Sequence, residues 1–155
     1  MKKIGICVIV NESWLGGINY FLSLLLALDQ HPSQEHEYYV LTNRSDLFSH
    51  GYKSHIKIIQ CEHLTDNSER IRKIRRHFQT NITLAYYSRR YQLDLITYAI
   101  PGKRLLPPTL YWMPDFQHCY LPHLFSEAEL NSRNQAICMA AERSGHLLLS
   151  SAAAE

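Results

Sequence analysis

Ile4-Gly5-Ile6-Cys7-Val8-Ile9-Val10 leads through Asn11-Glu12-Ser13-Trp14-Leu15-Gly16-Gly17 into a helical run at 18–29, and this stretch decides the fold. An unbroken apolar run reads as a strand covered on both faces, because a half-solvated strand would alternate. Met1-Lys2-Lys3 in front of it mimics a secretory leader. The run is at the short limit for one, stops at Asn11-Glu12 and has no small-residue cleavage site, so the strand reading stands. His31-Pro32 closes the helix.

Working outward, 37–42 and 55–60 read as the second and third strands. Asp66 with Glu69 three residues on predicts a helix start, and Ile71, Ile74 and Phe78 keep helical spacing in a helix running on towards Arg90. Strands are predicted at 94–99 and 109–112, with Pro101-Gly102 and Pro107-Pro108 breaking the chain between them. Ser126-Glu127-Ala128-Glu129 is a capping box opening a helix to about Arg143, and 146–150 is a final apolar strand. Strands alternating with helices predict an α/β fold, a doubly wound parallel sheet in one domain over 1–155. Such sheets bind ligands at the carboxyl ends of their strands, near the reversal of strand order. The loops at 11–17 and 113–122 fall at such ends.

Composition narrows the function. The chain has 155 residues and 18.1 kDa, the size of one domain. A chain this long buries roughly 70% of its unfolded surface, so disulfides and structural metal are unnecessary. Hydrophobic residues at 46% and charged residues at 19% exclude a disordered chain. A net charge of +2 is too small for a dedicated nucleic-acid binder. Cys7, Cys61, Cys119 and Cys138 form no C-x-x-C pair and read as buried free thiols of a reducing compartment. The longest other apolar run, 21–28, cannot span a bilayer. The expected location is the cytoplasm or the cytosolic face of a membrane.

Gly16-Gly17 lets the backbone turn tightly and approach a ligand, and the helix that follows offers unpaired N–H groups to an anion such as a diphosphate. No G-x-G-x-x-G is present and no acidic residue ends the second strand, which argues against an ordinary dinucleotide site. A P-loop is excluded by the missing G-x-x-x-x-G-K-[ST]. Trp112-Met113-Pro114-Asp115-Phe116-Gln117-His118 combines hydrogen-bonding Asp115, Gln117 and His118 with the flat faces of Trp112 and Phe116, a mixture that suits sugars. The plainer reading of that segment is a Pro-fixed loop whose Asp caps local backbone. No His or Cys spacing fits a metal site, and no metal or cofactor is assigned.

The element order, the Gly-Gly loop after the first strand, and Trp-x-Pro-Asp-Phe-Gln-His…Leu-Pro…Phe-Ser-x-x-Glu together resemble the N-terminal domain of retaining glycosyltransferases of the GT-B fold, family four. The resemblance implies a Rossmann-like half of a two-domain enzyme that holds the acceptor, while a C-terminal domain holds most of a nucleotide-sugar donor. It implies backbone contacts from Gly16 and Gly17 to the donor phosphates. It also implies Asp115 and His118 as catalytic or orienting groups; Asn19, Trp112 and Gln117 are the candidate substrate contacts beside them. Family members commonly carry His-Asp after the fifth strand. Pro114-Asp115 stands there instead, which leaves the sugar-contacting residue open between Asp115 and His118. No C-terminal domain or E-x-seven-E element lies within the chain, so 1–155 alone is expected to transfer no sugar.

Arg70, Arg72, Lys73, Arg75 and Arg76 put five cations in seven residues, with Arg89 and Arg90 expected on the same helix. A solvated face is the plain reading. With Ile71, Ile74, Phe78 and nearby tyrosines, the alternative is a surface for anionic lipid headgroups. The competing functional class is a non-enzymatic α/β module that binds an anionic ligand or a protein partner.

Overall fold

The computed structural model describes residues 1–11, 15–66, 68–100, 102, 106–113, 115–143 and 146–149. The middle of the first loop (12–14), Pro101, Pro114 and the end of the last predicted strand at 150 lie outside the described residues. In chain order the elements are β1 (Lys2–Val8), α1 (Leu15–Gln30), β2 (His36–Thr42), β3 (Ile56–Gln60), α2 (Glu69–Phe78), α3 (Ile82–Tyr91) and β4 (Leu95–Thr97). They continue as β5 (Thr109–Met113), a one-turn α4 (Gln117–Tyr120), α5 (Glu127–Arg143) and β6 (His146–Leu149). Short 3-10 turns occupy Ser45–Phe48 and Pro122–Leu124.

All six strands are parallel, in the order β3-β2-β1-β4-β5-β6. This is the Rossmann-like doubly wound sheet that the sequence predicts. The order reverses between β1 and β4, so a crevice opens above their carboxyl ends.

Alternation along β1 feeds two cores. Ile6 and Val8 join Val40 and, from α1, Phe21 and Leu25. Cys7 joins Leu41, Ile96 and, from α3, Leu84. The capping box forms as expected: the Ser126 backbone N–H and hydroxyl both donate to Glu129 Oε2, at 2.9 and 2.7 Å, and the Glu129 N–H donates back to Ser126 Oγ at 3.3 Å.

Four expectations are corrected. The helix predicted from Asp66 towards Arg90 is two helices. Gln79 takes a left-handed conformation (φ 49°), and the Asn81 side chain accepts the Leu84 N–H at 3.2 Å to start α3 afresh. Arg89 and Arg90 therefore leave the helix of the basic run. Helix α1 begins at Leu15 rather than at 18, which puts Gly16 and Gly17 inside its first turn. Strand β4 is only three residues long, because Tyr98 turns to φ 62° and an extended chain cannot pass through that region. Only Cys7 and Cys61 are buried; Cys119 lies exposed on α4 and Cys138 on the solvent face of α5. Among the described residues no helix is long and apolar enough to cross a membrane.

Candidate functional site

The two loop motifs singled out in the sequence, at 16–17 and at 112–118, lie along the carboxyl edge of the sheet. Beyond β1, the Val10 N–H donates to Asn43 Oδ1 at 2.8 Å, and Asn43 Nδ2 donates to the Val10 carbonyl at 3.1 Å. The side chain that follows β2 thus pins the root of the glycine loop. Gly16 is exposed, and a Cβ built on it would meet nothing within 4 Å among the described residues. Gly17 is buried on the inner side of α1, and Asn19 is exposed one turn into the helix.

At the end of β5, Trp112 is half-buried and one face is occupied. Tyr20 stacks on it with ring centroids 4.6 Å apart and planes 10° from parallel. Tyr98 and Phe21 meet it edge-on at 5.4 and 6.1 Å. The Tyr20 and Tyr98 hydroxyls share a hydrogen bond of 2.9 Å. Burial, then that hydrogen bond, raises the Tyr98 phenol above its ordinary range. This aromatic cluster joins α1 to β4 and β5.

Asp115 lies half-buried just beyond β5. Its Oδ1 accepts the Gln117 N–H at 3.0 Å, closing an Asx turn that starts α4, and Arg133 Nη1 of α5 stands 3.5 Å from the same oxygen. Gln117 is exposed. His118, in contrast, is 3% exposed, with its ring edge-on to Phe125 at 6.4 Å. Its Nε2 lies 3.5 Å from Cys119 Sγ, and its Nδ1 is buried with no partner among the described residues. Asp115 and Gln117 therefore share one exposed turn, while His118 anchors that turn from inside. The plainer reading of this segment holds in one respect: Asp115 caps local backbone.

Where the strand order reverses lies a cavity of about 760 Å³. Cys7 and Ile9 contribute from β1 and just beyond it; Thr80 and Asn81 from the α2–α3 turn; Tyr98, Ala99 and Ile100 from the chain after β4; and Met139 and Arg143 from α5. Arg75 and Arg76 line it as well. Burial first, and the neighbouring Cys61 second, push the Cys7 thiol to about 12, so the floor of the cavity is a neutral thiol. No local signal in the sequence marks Thr80, Tyr98 or Arg143, because four separate segments bring them together. The left-handed Tyr98 leaves its trace only in the structure.

Fold and edge together define a single α/β domain with a six-stranded parallel sheet and an open crevice at its switch point. No family profile and no curated protein matches the chain. Among the described residues, no group of three or more His, Cys, Asp or Glu is arranged to hold a metal ion.

Proposed function

We propose that this chain is the acceptor-side domain of a nucleotide-sugar-dependent glycosyltransferase, passing a hexose-type sugar to a polysaccharide or lipid-linked glycan. The observation that carries the reading is the position of the Trp112-to-His118 segment. It closes β5 on the same edge of the sheet as the glycine-bearing first turn of α1, with the crevice between β1 and β4 alongside. In this reading the first N–H groups of α1, around Gly16 and Gly17, face the donor diphosphate. Asp115 orients a sugar hydroxyl while Arg133 keeps its carboxylate in place, and Gln117 and Asn19 add exposed hydrogen-bonding groups. Tyr20 covers one face of Trp112, so substrate does not stack on that side. His118 positions the turn from beneath.

Transfer breaks the bond between the sugar C1 and the diphosphate oxygen, forms one from C1 to the acceptor oxygen, and moves the acceptor proton towards the departing diphosphate. The second domain that such a reaction needs would supply most of the donor contacts. The second reading, a non-enzymatic module for an anionic ligand, draws on the three arginines that line the crevice.

The test uses the polypeptide as its native host makes it, incubated with a panel of nucleotide sugars and glycan acceptors. Nucleoside diphosphate release is expected with at least one donor. Asp115→Asn should lower turnover tenfold or more, while Arg133→Gln, which spares the Asx turn, should cost less. Silence across the panel, or full activity in Asp115→Asn, would overturn the reading.

A further inference from the structure

The crevice between β1 and β4 has a lining whose chemistry is more specific than its position. Arg75, Arg76 and Arg143 all line it, and no described lining residue is acidic. Arg75 is fixed from behind, its Nη2 donating to the backbone carbonyls of Leu64 at 3.1 Å and His63 at 3.4 Å. Arg143 Nε and Thr80 Oγ1 are buried without a hydrogen-bond partner among the described residues, and Thr80 is 6% exposed. Both atoms are covered, so a ligand in the crevice is met by the Arg76 and Arg143 side chains rather than by these two atoms. Gly102 seals Thr80 in place: a Cβ there would lie 2.0 Å from Thr80 Oγ1. The rest of the wall is mixed: Gln79, Asn81 and Tyr98 bring polar groups, while Ile9, Leu84, Ala99, Ile100 and Met139 give an apolar stretch. Like charges gathered along one crevice attract an anion, and guanidinium forks match phosphate oxygens in pairs.

We propose that this crevice binds an anionic amphiphile, a phosphate or diphosphate ester with an apolar chain. Its head is held by Arg76 and Arg143, and its chain lies along Ile9, Ile100 and Met139. The site rests on the acceptor-side reading for its use in sugar transfer, and on its own lining for the ligand it takes. Binding here without any transfer by the native polypeptide would retire the transferase and leave the site. Transfer to lipid-free glycans with nothing binding here would do the reverse.

The experiment titrates the purified chain with geranyl diphosphate, inorganic pyrophosphate, geraniol and decanoate, by calorimetry and by amide chemical-shift mapping. Geranyl diphosphate is expected to bind at least tenfold more tightly than each of the other three and to weaken with salt. It should also shift the amides of 79–81 and 98–100. The Arg76→Gln/Arg143→Gln pair should lose at least tenfold in affinity with its melting temperature kept near that of the parent chain. The shift map of the unmodified chain decides the matter if that pair fails to fold. Geraniol binding equally well would make the crevice merely apolar, pyrophosphate binding equally well would make it a free-phosphate site, and decanoate doing so would remove the phosphate preference. Any of these, or shifts confined to other regions, overturns the proposal.

Discussion

Cys7 and Cys61 are buried within one core cluster, and burial pushes both thiols to about 12. A thiol reacts as its thiolate, so these two are inert in the folded chain at neutral pH, whereas Cys119 and Cys138 are exposed. An aromatic disulfide reagent should titrate Cys119 and Cys138 quickly, and Cys7 and Cys61 only on unfolding; rapid labelling of all four would contradict the core. The sign of the linked pH effect follows. Unfolded thiols ionise near 9, and the folded state holds their protons to about 12. Stability contributed by this difference is complete below pH 9 and drains away as pH rises through the interval to 12. The midpoint of urea unfolding should therefore fall on the alkaline side. Trp112 makes the other residue-level distinction. Stacked on Tyr20, it belongs to the packing of α1 on the sheet. Trp112→Ala should cost about 2 kcal/mol or more of stability, with Tyr20→Ala losing part of the same energy. An unchanged unfolding midpoint would make Trp112 a platform for ligand alone.

At the scale of elements, α2 stands apart. It has no buried residue, it exposes Arg70, Arg72, Lys73 and Arg76, and Phe78 at its end is 43% exposed. A solvated face is the plain reading of such a helix; we propose that it also meets a bilayer surface bearing anionic headgroups. The chain should co-sediment with anionic vesicles, weaken with salt, and lose most of that binding in Arg70→Gln/Arg72→Gln/Lys73→Gln. Equal recovery on neutral vesicles would remove a membrane role. Helices such as α5 were legible in the sequence because their signals are local: Ser126 and Glu129 make the reciprocal bonds that their spacing implies. The break between α2 and α3 was not legible. Its left-handed residue is Gln79 rather than glycine, and apolar spacing runs on through Phe78 into Ile82. The start of α1 was misplaced for the converse reason, since Gly16-Gly17 looks like loop and is tolerated in a first turn.

Across the whole molecule, continuous apolar runs and alternating elements were enough to foresee the parallel sheet, because strands covered on both faces leave a compositional mark. The site was legible only where it is contiguous, at Gly16-Gly17 and at 112–118. The switch-point crevice draws on residues from Cys7 to Arg143, a span that no motif captures. The same view exposes an edge. β6 ends the sheet with Leu147 and Leu148 at 41% and 37% exposure. An apolar edge strand is a template for association. Light scattering of the isolated chain should report growth in mass with concentration, reversed by Leu147→Lys/Leu148→Lys; a constant 18.1 kDa would show the edge to be harmless.

The central functional claim is that ligands meet this chain at the carboxyl edge of β1, β4 and β5. Amide chemical-shift mapping of the ¹⁵N-labelled chain tests it most directly, using a panel of nucleotide sugars, oligosaccharides and geranyl diphosphate. Perturbations are expected to gather at 9–11, 15–19, 79–81, 98–100 and 115–118. A map centred on the amino ends of the strands, or one that stays blank through the panel, would contradict it.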